Sequence, residues 1–401
     1  NSIYSVNGNI TLTGAAGAGT AARIRAGLNV DGGAAYIYST TGNISLNGTG
    51  IATDSSSQKA ILINGGSLYI GWNGSSTVTS GNINLIADSL GVNGTTLNIK
   101  STGTLSFSPS STSFTSAISW PLTNTTVSSV SGLTVGKDGN GANITVGSAT
   151  TIAGAIYLYG ADINLDAALS SSASNKDIYL KASGSITQNN ISVTTSGGSI
   201  IYWADSDNSG GGYVQLAGTS ASVTTSGGGL WIGGGNGNAS WTPFSGGTSI
   251  TVGDGYATGT TAFGTGVYLG FANINTSLNS GKGGNISIWG KTATAPSAIT
   301  YSSPDVTSWV SGIYSGYKSG GPNYVSINSG VGSIYFNAVT VLQNSAGGEG
   351  MYLNGASLTS GATSGDAITL IGSSSGISNV ASTRGAGVTL IGWSGQPISI
   401  S

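Results

Sequence analysis

The chain has 401 residues, of which 69 are glycine, 6% are charged and none is histidine or cysteine. This composition excludes disulfide frameworks, sites built from the usual zinc ligands, and Ser/His/Asp catalysis. A net charge of −2 with 11 basic residues excludes nucleic acid and anionic membranes as main partners. Because Ile, Leu and Val recur throughout, we expect the chain to fold around an apolar core.

The first recurring element is a glycine-asparagine turn that runs into a strand. Gly and Asn favour turns, and the apolar residues after them alternate as in a half-buried strand. Each copy therefore predicts a corner followed by a strand. The copies read Gly-Asn-Ile-x-Leu or Gly-Asn-Ile-x-Ile and begin at Gly8, Gly42, Gly81 and Gly284.

A strand core of three residues, apolar then variable then apolar, recurs roughly every 10 to 25 residues. Alternation in a strand places the two apolar residues on one face and the variable residue on the other. In chain order the clearest copies are Leu68-Tyr69-Ile70, Leu97-Asn98-Ile99, Ile144-Thr145-Val146, Ile156-Tyr157-Leu158, Ile163-Asn164-Leu165, Ile178-Tyr179-Leu180, Val214-Gln215-Leu216, Val267-Tyr268-Leu269, Val325-Ser326-Ile327, Ile334-Tyr335-Phe336 and Ile368-Thr369-Leu370.

Variable loops on a constant strand core are typical of a β-solenoid, in which each coil lays short strands on the coil before it. The offsets between copies vary, whereas propellers and helical repeats keep a nearly fixed period. The sequence therefore predicts an all-β protein, with residues 1–401 forming a single elongated β-solenoid rod.

Three passages interrupt this pattern with proline and aromatic residues, namely 107–129, 239–247 and 292–324. We interpret them as irregular excursions from the rod, where solenoids tend to carry specificity. The alternative is that each is an ordinary coil whose sequence has drifted.

The Gly-Asn-Ile phrases, the Thr-Ser-Gly-Gly turns such as 195–198, and the cysteine-free, Asn/Ser/Thr-rich composition resemble the repeat region of filamentous-haemagglutinin-like and autotransporter-adhesin-type bacterial exoproteins. The resemblance covers most of the chain. It implies a right-handed parallel β-helix, secretion by a Gram-negative bacterium, and a role in attachment, aggregation or extracellular fibres.

The variable residue of the strand core is aromatic at seven positions. If the flanking residues point inward, these rings point outward and form a candidate binding or assembly surface, since Tyr and Trp are favoured at interfaces. The alternative is the ordinary preference of aromatic residues for strands. The seven are Tyr69, Tyr157, Tyr179, Trp231, Tyr268, Tyr335 and Tyr352.

The densest group of carboxylates is Asp205 with Asp207, which is a weak candidate for a metal site. An EF-hand calcium loop requires glutamate at its twelfth position, and that position is Leu216. A solvated turn is the favoured interpretation, so no metal and no cofactor are predicted.

Two alternative functions have some support in the sequence. Asp162 and Asp166 are close enough in sequence to serve as the carboxyl pair of a polysaccharide-active β-helix enzyme. Thr-x-Thr pairs indicate an ice-binding solenoid face, although their spacing is irregular. These pairs are Thr11/Thr13, Thr77/Thr79, Thr102/Thr104 and Thr258/Thr260.

The interpretation that we favour is a non-catalytic structural or adhesive β-solenoid rod, secreted or held at a bacterial cell surface. Solenoid ends expose unpaired strand edges that must be capped or joined. We therefore predict assembly into extracellular filaments with other copies of the chain, or pairing with a continuing exoprotein chain. Host or environmental glycans and surfaces are the other predicted partners, without nucleic acid or a membrane span.

Overall fold

The structure is a computed structural model that describes residues 1–17, 25–50, 58–76, 78–93, 96–278, 281–294, 310–316, 325–341, 348–374, 386–392 and 398–401. Within these ranges every regular element is a β-strand. No helix in the same ranges has the length and apolar character to cross a membrane.

The chain divides into two compact units, Asn1–Ala161 and Asp162–Ser401, which we call unit 1 and unit 2. Unit 1 contains seventeen strands. They are β1 (Ser2–Ser5), β2 (Ile10–Ala15), β3 (Arg25–Asp31), β4 (Ala35–Ser39), β5 (Ile44–Thr49), β6 (Gln58–Asn64), β7 (Leu68–Ile70), β8 (Ile83–Ala87), β9 (Leu90–Asn93), β10 (Leu97–Lys100), β11 (Thr104–Ser108), β12 (Ile118–Trp120), β13 (Thr125–Ser128), β14 (Gly132–Val135), β15 (Ile144–Val146), β16 (Thr150–Ile152) and β17 (Ile156–Gly160).

Unit 2 contains the remaining strands of the described residues. They are β18 (Ile163–Leu165), β19 (Leu169–Ser174), β20 (Ile178–Ala182), β21 (Ile186–Asn189), β22 (Ser192–Ser196), β23 (Ile200–Trp203), β24 (Val214–Ala217), β25 (Ser222–Thr224), β26 (Leu230–Trp241), β27 (Ile250–Gly255), β28 (Ala257–Thr258), β29 (Val267–Gly270), β30 (Asn273–Asn275), β31 (Ser277–Leu278), β32 (Lys282–Gly283), β33 (Ile286–Lys291), β34 (Val310–Ser315), β35 (Val325–Asn328), β36 (Ile334–Thr340), β37 (Gly348–Asn354), β38 (Ala356–Thr359), β39 (Ile368–Ser374), β40 (Val388–Ile391) and β41 (Ser399–Ile400).

Each unit is a parallel β-solenoid, which confirms the predicted fold class. In unit 1 the sheets run β1-β4-β7-β10-β13, β2-β5-β8-β11-β14-β17 and β3-β6-β9, so a strand pairs with the third strand after it. In unit 2 sheet I is β20-β23-β26-β33-β36-β39, sheet II is β18-β21-β24-β29-β34-β37-β40, and sheet III is β19-β22-β25-β30-β35-β38-β41. Strands that recur at one side of every coil therefore stack in register.

The core of each unit consists of apolar ladders that run from coil to coil. In unit 1 Ile44 lies opposite Ile10 and Ile83, and in unit 2 Ile286 lies opposite Leu230 and Ile334. All of these side chains are buried. Full burial of such a side chain stabilises the fold by about 1.5–3 kcal/mol. The strand core found in the sequence is thus the repeating unit of the hydrophobic core.

The Gly-Asn-Ile phrase forms a corner that links successive coils. The N–H of Asn43 donates to Oδ1 of Asn9 at 2.8 Å, and the N–H of Asn82 donates to Oδ1 of Asn43 at 2.8 Å. A Cβ atom on Gly42 would lie 2.1 Å from the carbonyl oxygen of Gly8, closer than any side chain tolerates. Glycine therefore allows the coils to approach, and asparagine satisfies the backbone donor of the next coil.

Buried hydroxyl groups support the same corner from inside. The Ser101 hydroxyl donates to the Gly81 carbonyl at 2.7 Å and accepts the Gly103 N–H at 2.8 Å. Ser39 makes the equivalent pair of bonds with the carbonyl of Gly8 and the N–H of Gly42. A small hydroxyl residue two or three positions before the glycine thus pairs backbone groups that the turn leaves without ladder partners.

The three predicted excursions differ in structure. Residues 107–129 include β12 and β13, which pair in parallel with β15 and β10. Residues 239–247 form the far end of an antiparallel hairpin in which β26 pairs with β27. Within 292–324, residues 295–309 and 317–324 lie outside the described residues, and β34 between them pairs with β29 and β37. The single-domain interpretation stays a prediction.

Candidate functional site

The structure separates the seven predicted aromatic residues into several groups. Each lies at the middle of its strand core, on the face opposite the apolar ladder, but neighbouring segments then cover some rings and leave others exposed. Tyr69 and Tyr157 belong to unit 1, Tyr179, Trp231 and Tyr335 to sheet I of unit 2, and Tyr268 and Tyr352 to sheet II.

One group of half-exposed rings in unit 1 consists of Tyr36 on β4, Tyr69 on β7 and Trp72 just after β7, and we call it the first aromatic strip. The rings of Tyr36 and Tyr69 stack with centroids 4.7 Å apart and planes 12° apart. Trp72 meets Tyr69 edge-on at 5.6 Å, and Lys100 Nζ lies 5.1 Å from the Trp72 ring centroid. Such a strip presents ring faces and a cation to solvent. Tyr157, on β17, is 37% exposed.

A second aromatic strip lies in unit 2 and consists of Tyr256, Trp289 and Tyr335. The Trp289 ring lies 5.6 Å from the Tyr256 ring and 5.6 Å from the Tyr335 ring. The indole N–H of Trp289 donates to the Ser287 hydroxyl at 2.8 Å, which holds the ring in place. Burial raises the pKa of Tyr256, and a hydrogen bond with Asn337 partly opposes this rise. All three rings are half-buried.

The hairpin of β26 and β27 buries Trp231 and packs against Tyr179, which stays half-buried. Trp231 is 3% exposed and belongs to a cluster with Ile201, Trp203 and Val252. The Tyr179 hydroxyl donates to the Thr251 carbonyl on the hairpin at 3.2 Å. The hairpin therefore turns the outer face of sheet I into a second apolar core.

Tyr268 and Tyr352 are also buried, in a stack on sheet II. Tyr314, at the equivalent position of the strand between them, lies 5.8 Å from the Tyr268 ring and 5.1 Å from the Tyr352 ring, with planes within 13° of parallel. Phe263 meets Tyr268 edge-on at 6.1 Å. These rings are packed against protein and stabilise successive coils of sheet II.

Asp205 and Asp207 have different surroundings. Asp205 is buried, and its Oδ1 accepts the N–H groups of Gly210 at 3.1 Å and Gly211 at 3.4 Å. Its Oδ2 is buried, and the Thr258 hydroxyl, which donates to the Tyr256 carbonyl at 3.2 Å, lies close to the carboxyl group. Burial raises the pKa of Asp205. Asp207 is exposed, and the described residues contain no cluster of three or more potential metal ligands.

The carboxylates proposed for a polysaccharide-active enzyme and the threonines proposed for an ice-binding face take part in contacts between and within coils. Asp162 Oδ1 accepts the Ser185 N–H at 2.8 Å, and Asp166 Oδ1 accepts the Asn189 side-chain amide at 2.9 Å. Among the Thr-x-Thr pairs, Thr79 is buried with its hydroxyl toward the Gly42 carbonyl, and Thr258 is buried as well. Thr77 lies outside the described residues.

A groove of about 610 Å³ in unit 2 was missed by the sequence interpretation, and we call it the hairpin groove. It follows the turns after β19, β22, β25, β30, β35 and β38, so it crosses five inter-strand steps, or roughly 24 Å. The only sequence signal for it is the excursion at 239–247. Its lining includes Asn175, Ser226, Thr242, Phe244, Leu278, Lys282, Asn285, Val331, Ser333 and Ser364.

The wall of the groove that contains Phe244 is held by an asparagine of the corner phrase. The N–H of Asn285 donates to the Pro243 carbonyl at 2.6 Å, and its side-chain amide donates to the Thr242 carbonyl at 2.9 Å. The Asn285 Oδ1 accepts the Ser333 N–H of the next coil at 3.0 Å. The wall is therefore positioned before any ligand arrives.

No protein-family model matches the sequence, and neither a curated protein nor a solved structure shows significant similarity to it. The resemblance to bacterial exoprotein repeats therefore stays a prediction.

Proposed function

We propose that the protein is a non-catalytic structural and adhesive β-solenoid, secreted or displayed at a bacterial cell surface. The observation that carries this proposal is the pair of half-exposed aromatic strips in a surface otherwise rich in Ser, Thr and Asn. Clustered, half-exposed rings bind sugar rings or the aromatic rows of a neighbouring molecule through burial of apolar surface. The strips are therefore the proposed contact surface.

Among the strands that the structure describes, those at the ends of the sheets support assembly with further strands. In unit 1 Tyr4 of β1 is exposed, and in unit 2 Leu390 of β40 and Ile400 of β41 are exposed. An edge strand with unpaired backbone groups and exposed apolar side chains pairs readily with another strand. The proposed partners are other copies of the chain or a continuing exoprotein chain, and the aromatic strips extend the proposal to glycan surfaces.

The proposal is tested with the full chain by imaging in the electron microscope and by attachment to glycan-coated surfaces. A double variant, Trp289→Ala with Tyr335→Ala, should attach more weakly or form shorter filaments, because it removes two of the three rings of the second strip. Thr369→Ala is the matched control, since Thr369 is the half-buried neighbour of Tyr335 on the next strand.

The proposal fails if the wild-type chain is a monodisperse monomer in size-exclusion chromatography at high concentration and also binds no glycan surface. It fails equally if the double variant and the wild type behave alike in both assays.

A further inference from the structure

We infer that the hairpin groove is a binding site for an oligosaccharide, with a carboxylate-bearing sugar placed against Lys282. This inference goes beyond the proposed function, because the lining of the groove shares no residue with either aromatic strip and combines polar groups with a single cation.

The lining combines polar and apolar groups in the way that a sugar requires. Amides and hydroxyls from Asn175, Thr242 and Ser333 supply both donors and acceptors, which match the hydroxyl groups of a pyranose ring. The ring of Phe244 and the side chain of Leu278 supply apolar surface for the C–H face of the same sugar. A purely apolar ligand would leave the amides and hydroxyls unpaired.

The exposed apolar side chains mark the same place. Within the described part of the chain, six of the nine exposed large apolar side chains lie on or directly after the outermost strands, and the other three are Tyr157, Leu278 and Val331. Leu278 is 38% exposed and Val331 is 47% exposed, and both line the hairpin groove. Exposed apolar groups rimmed by polar residues are typical of a ligand-binding groove.

The charge of the groove favours an acidic sugar over a neutral one. Of the described residues that line it, one is charged, and this is Lys282 on β32. A single exposed ammonium group adds a modest attraction for one carboxylate, which is the charge of a uronic acid. A nucleic acid would require many more cations along a groove of this length.

Preorganisation lowers the cost of binding. The Phe244 wall is fixed by the two bonds from Asn285, and the turn at its tip is closed by the Gly247 N–H, which donates to the Phe244 carbonyl at 2.9 Å. The ring of Phe244 lies against Gly247, where a Cβ atom would be 2.8 Å from the ring. Because the wall does not have to order on binding, the modest contacts of a sugar suffice.

The test is calorimetric titration of the full chain with two probes, a tetramer of galacturonic acid and a tetramer of galactose. Phe244→Ala should weaken binding of both tetramers by about tenfold or more, because the ring contacts the sugar whatever its charge. Lys282→Gln should weaken binding of the acidic tetramer by about threefold and leave the neutral tetramer unchanged. Lys176→Gln is the control, since Lys176 is exposed but does not line the groove.

Three results would overturn the inference. The wild-type chain binds neither tetramer at millimolar concentration, or Phe244→Ala binds both as tightly as the wild type, or Lys282→Gln has no effect on the acidic tetramer. Unchanged thermal unfolding of each variant shows that the fold is intact. Failure here leaves the proposed function standing, because attachment and filament assembly are measured with the aromatic-strip variants.

Discussion

The strand cores Leu68-Tyr69-Ile70 in unit 1 and Leu230-Trp231-Ile232 in unit 2 have the same pattern but different surroundings. Tyr69 is half-buried in the first aromatic strip, whereas Trp231 is 3% exposed beneath the hairpin of β26 and β27. In both cores the flanking apolar residues face the solenoid interior. The middle residue faces outward in both. The difference lies in the segment that follows, because β7 ends at Ile70 whereas β26 continues into the hairpin with β27. A solenoid thus forms a second core wherever an insertion folds back on its sheet.

The largest expected effect concerns the second core itself. Trp231→Ala should lower the free energy of unfolding by about 3–5 kcal/mol, because it empties a fully packed site between Ile201 and Val252. Tyr69→Ala should cost about 1 kcal/mol, the value of a half-exposed stacked ring. Urea unfolding followed by circular dichroism measures both. Equal losses in the two variants would show that the hairpin does not bury Trp231 as described.

A somewhat smaller effect is expected at the corner of unit 1. Gly42→Ala should lower the free energy of unfolding by about 3 kcal/mol, because its Cβ would meet the backbone of Gly8, which cannot move without separating two coils. Gly33→Ala is the matched control, since a Cβ there has no atom within 4 Å. The same urea titration measures the difference, and a Gly42→Ala variant as stable as Gly33→Ala would contradict the close approach.

The smallest expected effect concerns Asp205, at the base of the hairpin. The pKa of Asp205 is raised in the folded state, mainly by burial, so the folded protein holds this proton more tightly than the unfolded chain does. The resulting stabilisation is lost as the pH rises through the folded-state pKa, and it is restored as the pH falls toward 3.8. Asp205→Asn keeps the Oδ1 acceptor and removes the buried charge. It should therefore raise the free energy of unfolding at pH 7, by about 1 kcal/mol or less, with a smaller gain at low pH.

Asp366→Asn is the control for this prediction, because Asp366 is exposed and, unlike Asp207, does not contribute to the raised pKa of Asp205. Thermal unfolding at several pH values in buffers with and without calcium measures both variants and the wild type. We expect calcium not to change the wild-type transition. A loss of stability in Asp205→Asn at every pH, together with stabilisation of the wild type by calcium, would instead assign Asp205 to a metal site.

The fold could be predicted from the sequence because the pattern that specifies it is local and repeated. Apolar residues two positions apart, as at Ile44 and Leu46, predict which face of each strand is buried, and glycine with asparagine at 42 and 43 predicts the corner. When coils with the same strand core stack, the register between neighbouring strands has little freedom, because a shift of one residue would turn the apolar face outward. The parallel ladders follow from these features.

Only the tertiary structure decided which aromatic rings remain exposed to solvent and where the surface forms a groove that can hold a ligand. The Tyr179 hydroxyl reaches the Thr251 carbonyl, 72 residues away, and no local pattern predicts that contact. Likewise the hairpin groove exists because the hairpin tip at Phe244 and the turn near Leu278 border the same stack of coils. The alternation of side chains along a strand determines which residues face the core and which face outward. Whether an outward-facing side chain is then buried depends on segments that are distant in sequence and close in space.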